Sequence, residues 1–421
     1  MFLLIQCKIT TFAQQCNNNY TMAKVKHFTL LVFFSTLFSC CTGQQQHTEQ
    51  KNKEEQFATG ASMWEIYIPV IKNKKTGVVA NQTTLVNGMH LVDFLISKGV
   101  KVEKVFAPEH GFRGEAGPGD TVASGIDKKT GIPIISLYGS HKKPTPADIN
   151  GIEYMIFDIQ DVGARFYTYI STLHYVMEAC AENKIPVMVL DRPNPNGFYI
   201  DGPVLDTNFR SFVGMDPIPV VHGLTVGEYA KMANGEGWLK DGIRCDLEVM
   251  LMKGYTHSMR YDLPVRPSPN LPNPASVYLY PSLCFFEGAA VSVGRGTEYP
   301  FQLFGYPEFS EGDFLFTPKE IAGVIKDPPY ENVACKGILL NTNWKNLLEE
   351  KQLNLQWLMK AYGSYPEKEK FFNKFFDKLA GTDSLRKQII TGKTAEEIRL
   401  SWQPELEKYK LKRKKYLLYK E

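Results

Sequence analysis

From Thr76 to Asp191 the chain alternates short apolar runs with helical patterns, and this limits the folds open to it more than any other feature. "GVVAN", "VEKVFA", "IPIISLYG", "EYMIFDI" and "IPVMVLD" read as strands. Among them, "GMHLVDFLISKG" sets Leu91, Phe94 and Leu95 at helical spacing and stops at Gly99, and "YISTLHYVMEACAENK" reads as a second helix. Strands separated by helices form a mostly parallel sheet, because a parallel neighbour needs a long crossover. Runs such as "YMIF" and "VMVL" are apolar on both faces, as in strands covered on both sides. The fold class is α/β.

The strands end in polar clusters: "NQTT", "PEHGFRG", "YGSHKKP", "DIQDVGARFYT" and "DRPNPNG". In open α/β sheets the carboxyl edge is where ligands bind. The loop "FAPEHGFRGEAGPGD" is rich in glycine and costly to order. Glu109, His110 and Arg113 are therefore expected to be held there for chemistry. Asp158 and Asp161 stand three apart, with Arg165, Tyr167 and Tyr169 just after. Arg192 follows Asp191 at the last strand end, and His222 precedes a helical pattern in "VVHGLTVGEY". Each has a structural alternative. Asp158 can cap strand-end amides, Asp191 can hold a turn with Arg192, and His222 can simply precede a helix.

Several chemistries lack their templates. No G-x-S-x-G elbow and no H-E-x-x-H pair occurs, "GKT" at 392–394 lacks the earlier glycine of a P-loop, and "GEAGPG" is not a dinucleotide fingerprint. No cofactor and no metal are expected. A net charge of +3 is too small to suggest a nucleic-acid partner. What remains is carboxylates among arginines and aromatic rings, the usual equipment of glycoside hydrolysis.

Beyond residue 264 six prolines in "PVRPSPNLPNPASVYLYPS" mark a boundary or crossing segment containing Asn270. A glycine-rich stretch, "FFEGAAVSVGRGTEYPFQLFG", then carries Glu287 and Arg295, and helical patterns fill the rest. The basic "YKLKRKKYLLYK" reads as the end of a terminal helix, where cations suit the dipole. At 421 residues, two domains are expected.

At the other end, residues 1–21 read as an extension upstream of the true start. From Met22 a basic start leads into an apolar run of ~11 residues, short of the ~20 a spanning helix needs. "LFSC" resembles a lipobox ending at Cys40. Residues 22–40 are read as a lipoprotein signal peptide and 41–60 as a disordered polar tether. Cys180, Cys245, Cys284 and Cys335 are far apart in apolar contexts and are expected as buried free thiols.

"PEHGFRG", "KTGIPIISLYG", "DINGIEYMIFDIQDVGARFYTYISTL", "VLDRPNPNG", "DGPVLD", "FVGMDPIPVVHGLTVGEYA" and "EGAAVSVGRGTEYPF" closely resemble the exo-β-N-acetylmuramidase family NamZ, from about residue 76 to "KYLLY". The resemblance implies a Rossmann-like domain, placed at 61–275, and a smaller α/β C-terminal domain, placed at 276–421, with the active-site cleft between them. It implies release of N-acetylmuramic acid (MurNAc) from the non-reducing end of peptidoglycan fragments. MurNAc–GlcNAc fragments are then the partners, together with a membrane reached through a lipid anchor, and nucleic acid is not. The location implied is the periplasm or outer membrane of a bacterium. Glu109 is the favoured catalytic residue, grouped with His110 and Asp161. Substrate contacts are assigned to Asn81, Arg113, Asp158, Arg165, Tyr167 and Tyr169. Arg192, His222, Asn270, Glu287 and Arg295 complete that set. Arg165 is the first choice for the lactyl carboxylate, or else it neutralises Asp158 or Asp161. The alternative function is a non-catalytic muropeptide-binding lipoprotein on the same scaffold.

Overall fold

The computed structural model describes residues 56–114, 124–342 and 344–421, so the stretch read as a signal peptide, with Cys40, lies outside the described residues. Seven strands form the main sheet: β1 (Thr76–Ala80), β2 (Val102–Ala107), β3 (Gly125–Ile126), β4 (Pro133–Ser136), β5 (Tyr154–Asp158), β6 (Val187–Leu190) and β7 (Leu247–Met250). Their order is β7-β6-β5-β1-β2-β4-β3. Every neighbouring pair is parallel except β3 and β4. Alternate residues face opposite ways along each strand. Val79, Phe106, Phe157 and Val189 enter one core, and Val78, Val105, Ile156 and Met188 enter the other. This is why the strand sequences are apolar on both faces.

Helix Leu91–Ser97 carries the chain from β1 to β2, and helix Tyr169–Glu182 carries it from β5 to β6. The two connections leave the adjacent strands β1 and β5 in opposite directions, which makes the gap between them the topological switch point. The strand Leu247–Met250 was not foreseen. It lies at the sheet's edge and is only partly buried, so it lacks a continuous apolar run.

The C-terminal residues add a three-stranded antiparallel sheet of Leu303–Tyr306, Cys335–Leu339 and Phe314–Phe316. They end in the helix Ala395–Arg413, which opens on a Thr394–Glu397 capping box and carries Lys410, Lys412 and Arg413 in its last turn. The larger core runs from the β-sheet face through Tyr280, Phe285, Phe304 and Phe376 to Trp402 without a break. Asp201 ties this region further, accepting hydrogen bonds from the Leu353 amide at 2.8 Å and the Trp402 indole at 3.2 Å and pairing with Arg399. The described residues are accordingly one compact unit. Cys180, Cys245, Cys284 and Cys335 are buried free thiols.

Candidate active site

Strand β2 stops at Ala107, and the next four residues make a tight turn closed by the Gly111 amide on the Pro108 carbonyl at 3.0 Å. The turn puts His110 at φ 71°, a left-handed conformation that costs a non-glycine residue about 1–2 kcal/mol. Backbone strain of this kind is commonly kept where a side chain must be aimed. Here the aimed residue is Glu109. Its Oε1 accepts a hydrogen bond from the Tyr138 hydroxyl at 3.0 Å, and its Oε2 accepts one from the Thr168 hydroxyl at 3.1 Å. Tyr138 lies just past the end of β4, and Thr168 caps helix Tyr169–Glu182. Three separate chain segments thus fix one half-buried carboxyl group.

Glu109 lines a cavity of about 540 Å³. His110, Tyr138, Tyr167, Thr168 and Tyr169 wall it from the sheet side, Asn270 and Tyr280 from the proline-rich segment, and Glu287, Arg295 and Phe301 from the C-terminal side. The Tyr167 hydroxyl donates to the Pro267 carbonyl at 2.8 Å, and its ring meets that of Tyr169 edge-on at 4.9 Å. Asn270 donates to the Val324 carbonyl at 3.1 Å, leaving its Oδ1 with no partner among the described residues. Arg295 sits between Gly294 and Gly296, both left-handed, where a Cβ would come within 2.4 Å of the Tyr299 and Lys319 carbonyls respectively. Its guanidinium bonds Glu287 at 2.6 Å, and its buried Nε has no partner among the described residues. A second cavity of about 520 Å³ shares Glu109, Tyr138, Thr168, Val213 and Phe375 with the first. Glu109 therefore stands at the junction of a two-lobed cleft.

Of the candidate residues, Glu109, His110, Tyr167, Tyr169, Asn270, Glu287 and Arg295 are brought together at this cleft. The rest are not, and each has a physical reason. Asn81, Asp158 and Arg192 fill the switch point from inside. Arg192 forms a bidentate pair with Asp158 at 2.5 and 2.8 Å and also donates to the Leu85 carbonyl. Asn81 is fully buried and binds the Thr83 amide and hydroxyl. Arg113 is committed to Asp127 at 2.7 Å and Asp93 at 3.1 Å. His222 is buried, accepts the Leu224 amide at 3.1 Å, and is pushed down to about 3 by burial, so it is neutral. Asp161 accepts the Gly163 amide at 2.7 Å and does not line the cavity; burial pushes its carboxyl up to about 7.

The largest correction concerns Arg165. It is 0% exposed and touches neither Asp158 nor Asp161. Its guanidinium donates to four backbone carbonyls, Pro203 at 2.8 Å, Ile218 at 2.7 Å, Leu379 at 2.9 Å and Ala380 at 2.7 Å. It is a staple between the sheet domain and the C-terminal residues, and it cannot reach a sugar. Conversely, Tyr138 and Thr168 were missed. Both lie in the polar clusters after strands, but a lone hydroxyl there carries no sign of its partner.

A family model described as "Exo-beta-N-acetylmuramidase NamZ, N-terminal" matches residues 76–275, and its C-terminal counterpart matches 278–419. The chain belongs to the NamZ family. It is 38% identical over 408 residues to the peptidoglycan β-N-acetylmuramidase NamZ of Bacillus subtilis, covering 92% of this chain and 97% of that protein. Two crystal structures of DUF1343 family proteins from Bacteroides fragilis share its fold. One is 45% identical with a TM-score of 0.81, covering 87% of this chain and 99% of the other. The second is 29% identical with a TM-score of 0.70, covering 86% and 99%. Membership of NamZ gives the cleft a glycan to act on, and the geometry above says which groups meet it.

The staple and the cleft arginine are expected to separate in stability measurements. Arg165→Met leaves four carbonyls unpaired and should lower the free energy of unfolding by about 3–5 kcal/mol. Arg295→Met loses a partly exposed pair and should cost about 1 kcal/mol or less. Urea titration of both variants measures this, and an equally small effect for Arg165→Met would refute the staple.

Proposed function

We infer that this protein is an exo-acting β-N-acetylmuramidase that frees MurNAc from the non-reducing end of peptidoglycan fragments. The carrying observation is the place of Glu109 at the junction of two lobes, within a chain of the NamZ family. A general acid must reach the oxygen between two sugars, so it has to border both binding sites. In the cleavage step the Glu109 carboxyl gives its proton to the glycosidic oxygen. The C1–O bond breaks with its electron pair going to that oxygen; water adds its hydroxyl to C1, and its remaining proton passes back to the Glu109 carboxylate, restoring the acid. Glu287 is held by Arg295, Asp161 is away from the cavity, and of the carboxylates lining the first lobe (Glu109, Glu287 and Asp327) Glu109 alone also borders the second, which favours it as the proton donor. Tyr138 and Thr168 hold its two oxygens in place.

MurNAc differs from GlcNAc by a lactyl ether carrying a carboxylate. Arg295 supports its recognition, since it lines the cavity beside its partner Glu287, whereas Arg113 and Arg165 are engaged away from it. A planar guanidinium binds a carboxylate through two parallel hydrogen bonds, and Arg295 is the candidate arginine that lines the first cavity. The same reading includes acylation of Cys40 and attachment to an envelope membrane, supported by the "LFSC" stretch.

Three outcomes follow. With a chromogenic MurNAc glycoside, Glu109→Gln should lower kcat roughly 10²–10⁴-fold while the melting curve is preserved, and near-normal turnover would end the assignment. Arg295→Met should cut the preference for the MurNAc over the GlcNAc glycoside by about tenfold or more, the size of one charge-assisted hydrogen bond; an unchanged ratio would remove Arg295 from recognition. Cys40→Ser should move the protein from the membrane to the soluble fraction of fractionated cells, and a wild type that is already soluble would exclude the anchor.

A further inference from the structure

The second lobe differs in character from the first. Besides the wall it shares with the first cavity, it is lined by Gly139, Lys142, Ser211, Phe212 and Lys378. Glu109 at the junction is the sole carboxylate among its lining residues, and the other charges are two lysines. Neither lysine enters an ion pair among the described residues. Lys142 is not loose, however. Its ammonium lies 4.5 Å from the centre of the Phe212 ring, and that ring is stacked with Tyr175 at 6.2 Å and 11°. Lys378 comes from the short helix Phe376–Ala380, whose last two carbonyls, Leu379 and Ala380, are held by Arg165. Both cations thus stand on supported elements, beside an aromatic shelf of Phe212 and the part-exposed Phe375.

We propose that this second lobe is the binding site of the leaving portion of the glycan, and that Lys142 and Lys378 select a leaving portion that carries a carboxylate. The inference rests on the muramidase reading. If MurNAc occupies the first lobe and Glu109 protonates the bond at the junction, whatever lies beyond that bond must run through the second lobe. In a strand of alternating sugars the first unit beyond the bond is a neutral GlcNAc, whose apolar face suits an aromatic shelf. The next acidic group is the lactyl carboxylate of the following MurNAc, or the peptide attached to it. The two ammonium groups have no ion-pair partner among the described residues and share the lobe with the single carboxylate of Glu109, so a substrate carboxylate would supply the balancing charge. The enzyme then recognises two carboxylates along its substrate, one on each side of the cut.

The test uses the whole enzyme and two trisaccharides of MurNAc–GlcNAc–MurNAc. One keeps the reducing-end lactyl carboxylate free, and the other has it converted to the primary amide. Wild type is expected to release the terminal MurNAc from the free acid with a kcat/KM about tenfold above that for the amide. Added salt should shrink this ratio, because the lysines are near the surface. In Lys142→Met/Lys378→Met, which removes both charges and keeps most of the apolar stem, the ratio should fall to about one. A ratio near one in wild type, or an unchanged ratio in the double variant, overturns the lysine assignment and leaves the muramidase reading standing. No MurNAc released from either trisaccharide overturns the muramidase reading and this inference with it.

Discussion

A bidentate ion pair buried at the carboxyl edge of the sheet, Arg192 on Asp158, sets where everything else at that edge can go. Both residues are at most 5% exposed, and neither could be left there without the other at reasonable cost. The pair closes the gap between β1 and β5, where a doubly wound sheet would ordinarily admit its ligand. The Thr84 hydroxyl on the Asp158 carbonyl and the Thr83 hydroxyl under the Gln160 amide complete the plug. The open space therefore lies to one side, over the ends of β2 and β4 and the start of helix Tyr169–Glu182. That is where Glu109, Tyr138 and Thr168 converge.

The cleft divides its labour between the two parts of the chain. The sheet side supplies the carboxyl group and the hydroxyls that fix it, all from strand ends or a helix cap. The C-terminal side supplies the cation of Arg295 on a glycine-braced loop. The proline-rich segment joins the two, tied to the cavity floor through the Tyr167 hydroxyl and the Pro267 carbonyl. Because the connecting segment is itself fastened to the floor, the first lobe is formed without substrate.

The sheet was legible in the sequence because strands buried on both faces leave unbroken apolar runs; β2, β4, β5 and β6 fall within the expected ones and β1 begins one residue before its own. The edge strand β7 escaped because one weakly buried strand need not be apolar. The location of the site was also legible, since polar clusters cannot hide inside a parallel sheet and must emerge at its edge. The fate of each cluster member was not. Asp158 and Glu109 both stand at strand ends beside arginine, yet one plugs the sheet and the other faces the cleft. The difference lies in the partners: Arg192 comes from a neighbouring strand, whereas Arg113 is drawn off to Asp93 and Asp127. Arg165 was harder still. Its acceptors are main-chain carbonyls, which every residue has and no sequence pattern announces.

The four acceptors of Arg165 also impose an order on the chain. Two of them, Leu379 and Ala380, lie more than two hundred positions downstream. Until that stretch has been made, half of the guanidinium's hydrogen bonds have no protein acceptor, and burying it would strand a charge. Full pairing of this arginine therefore needs the C-terminal residues in place. The final packing of the sheet domain's lower face waits for the C-terminal residues to arrive.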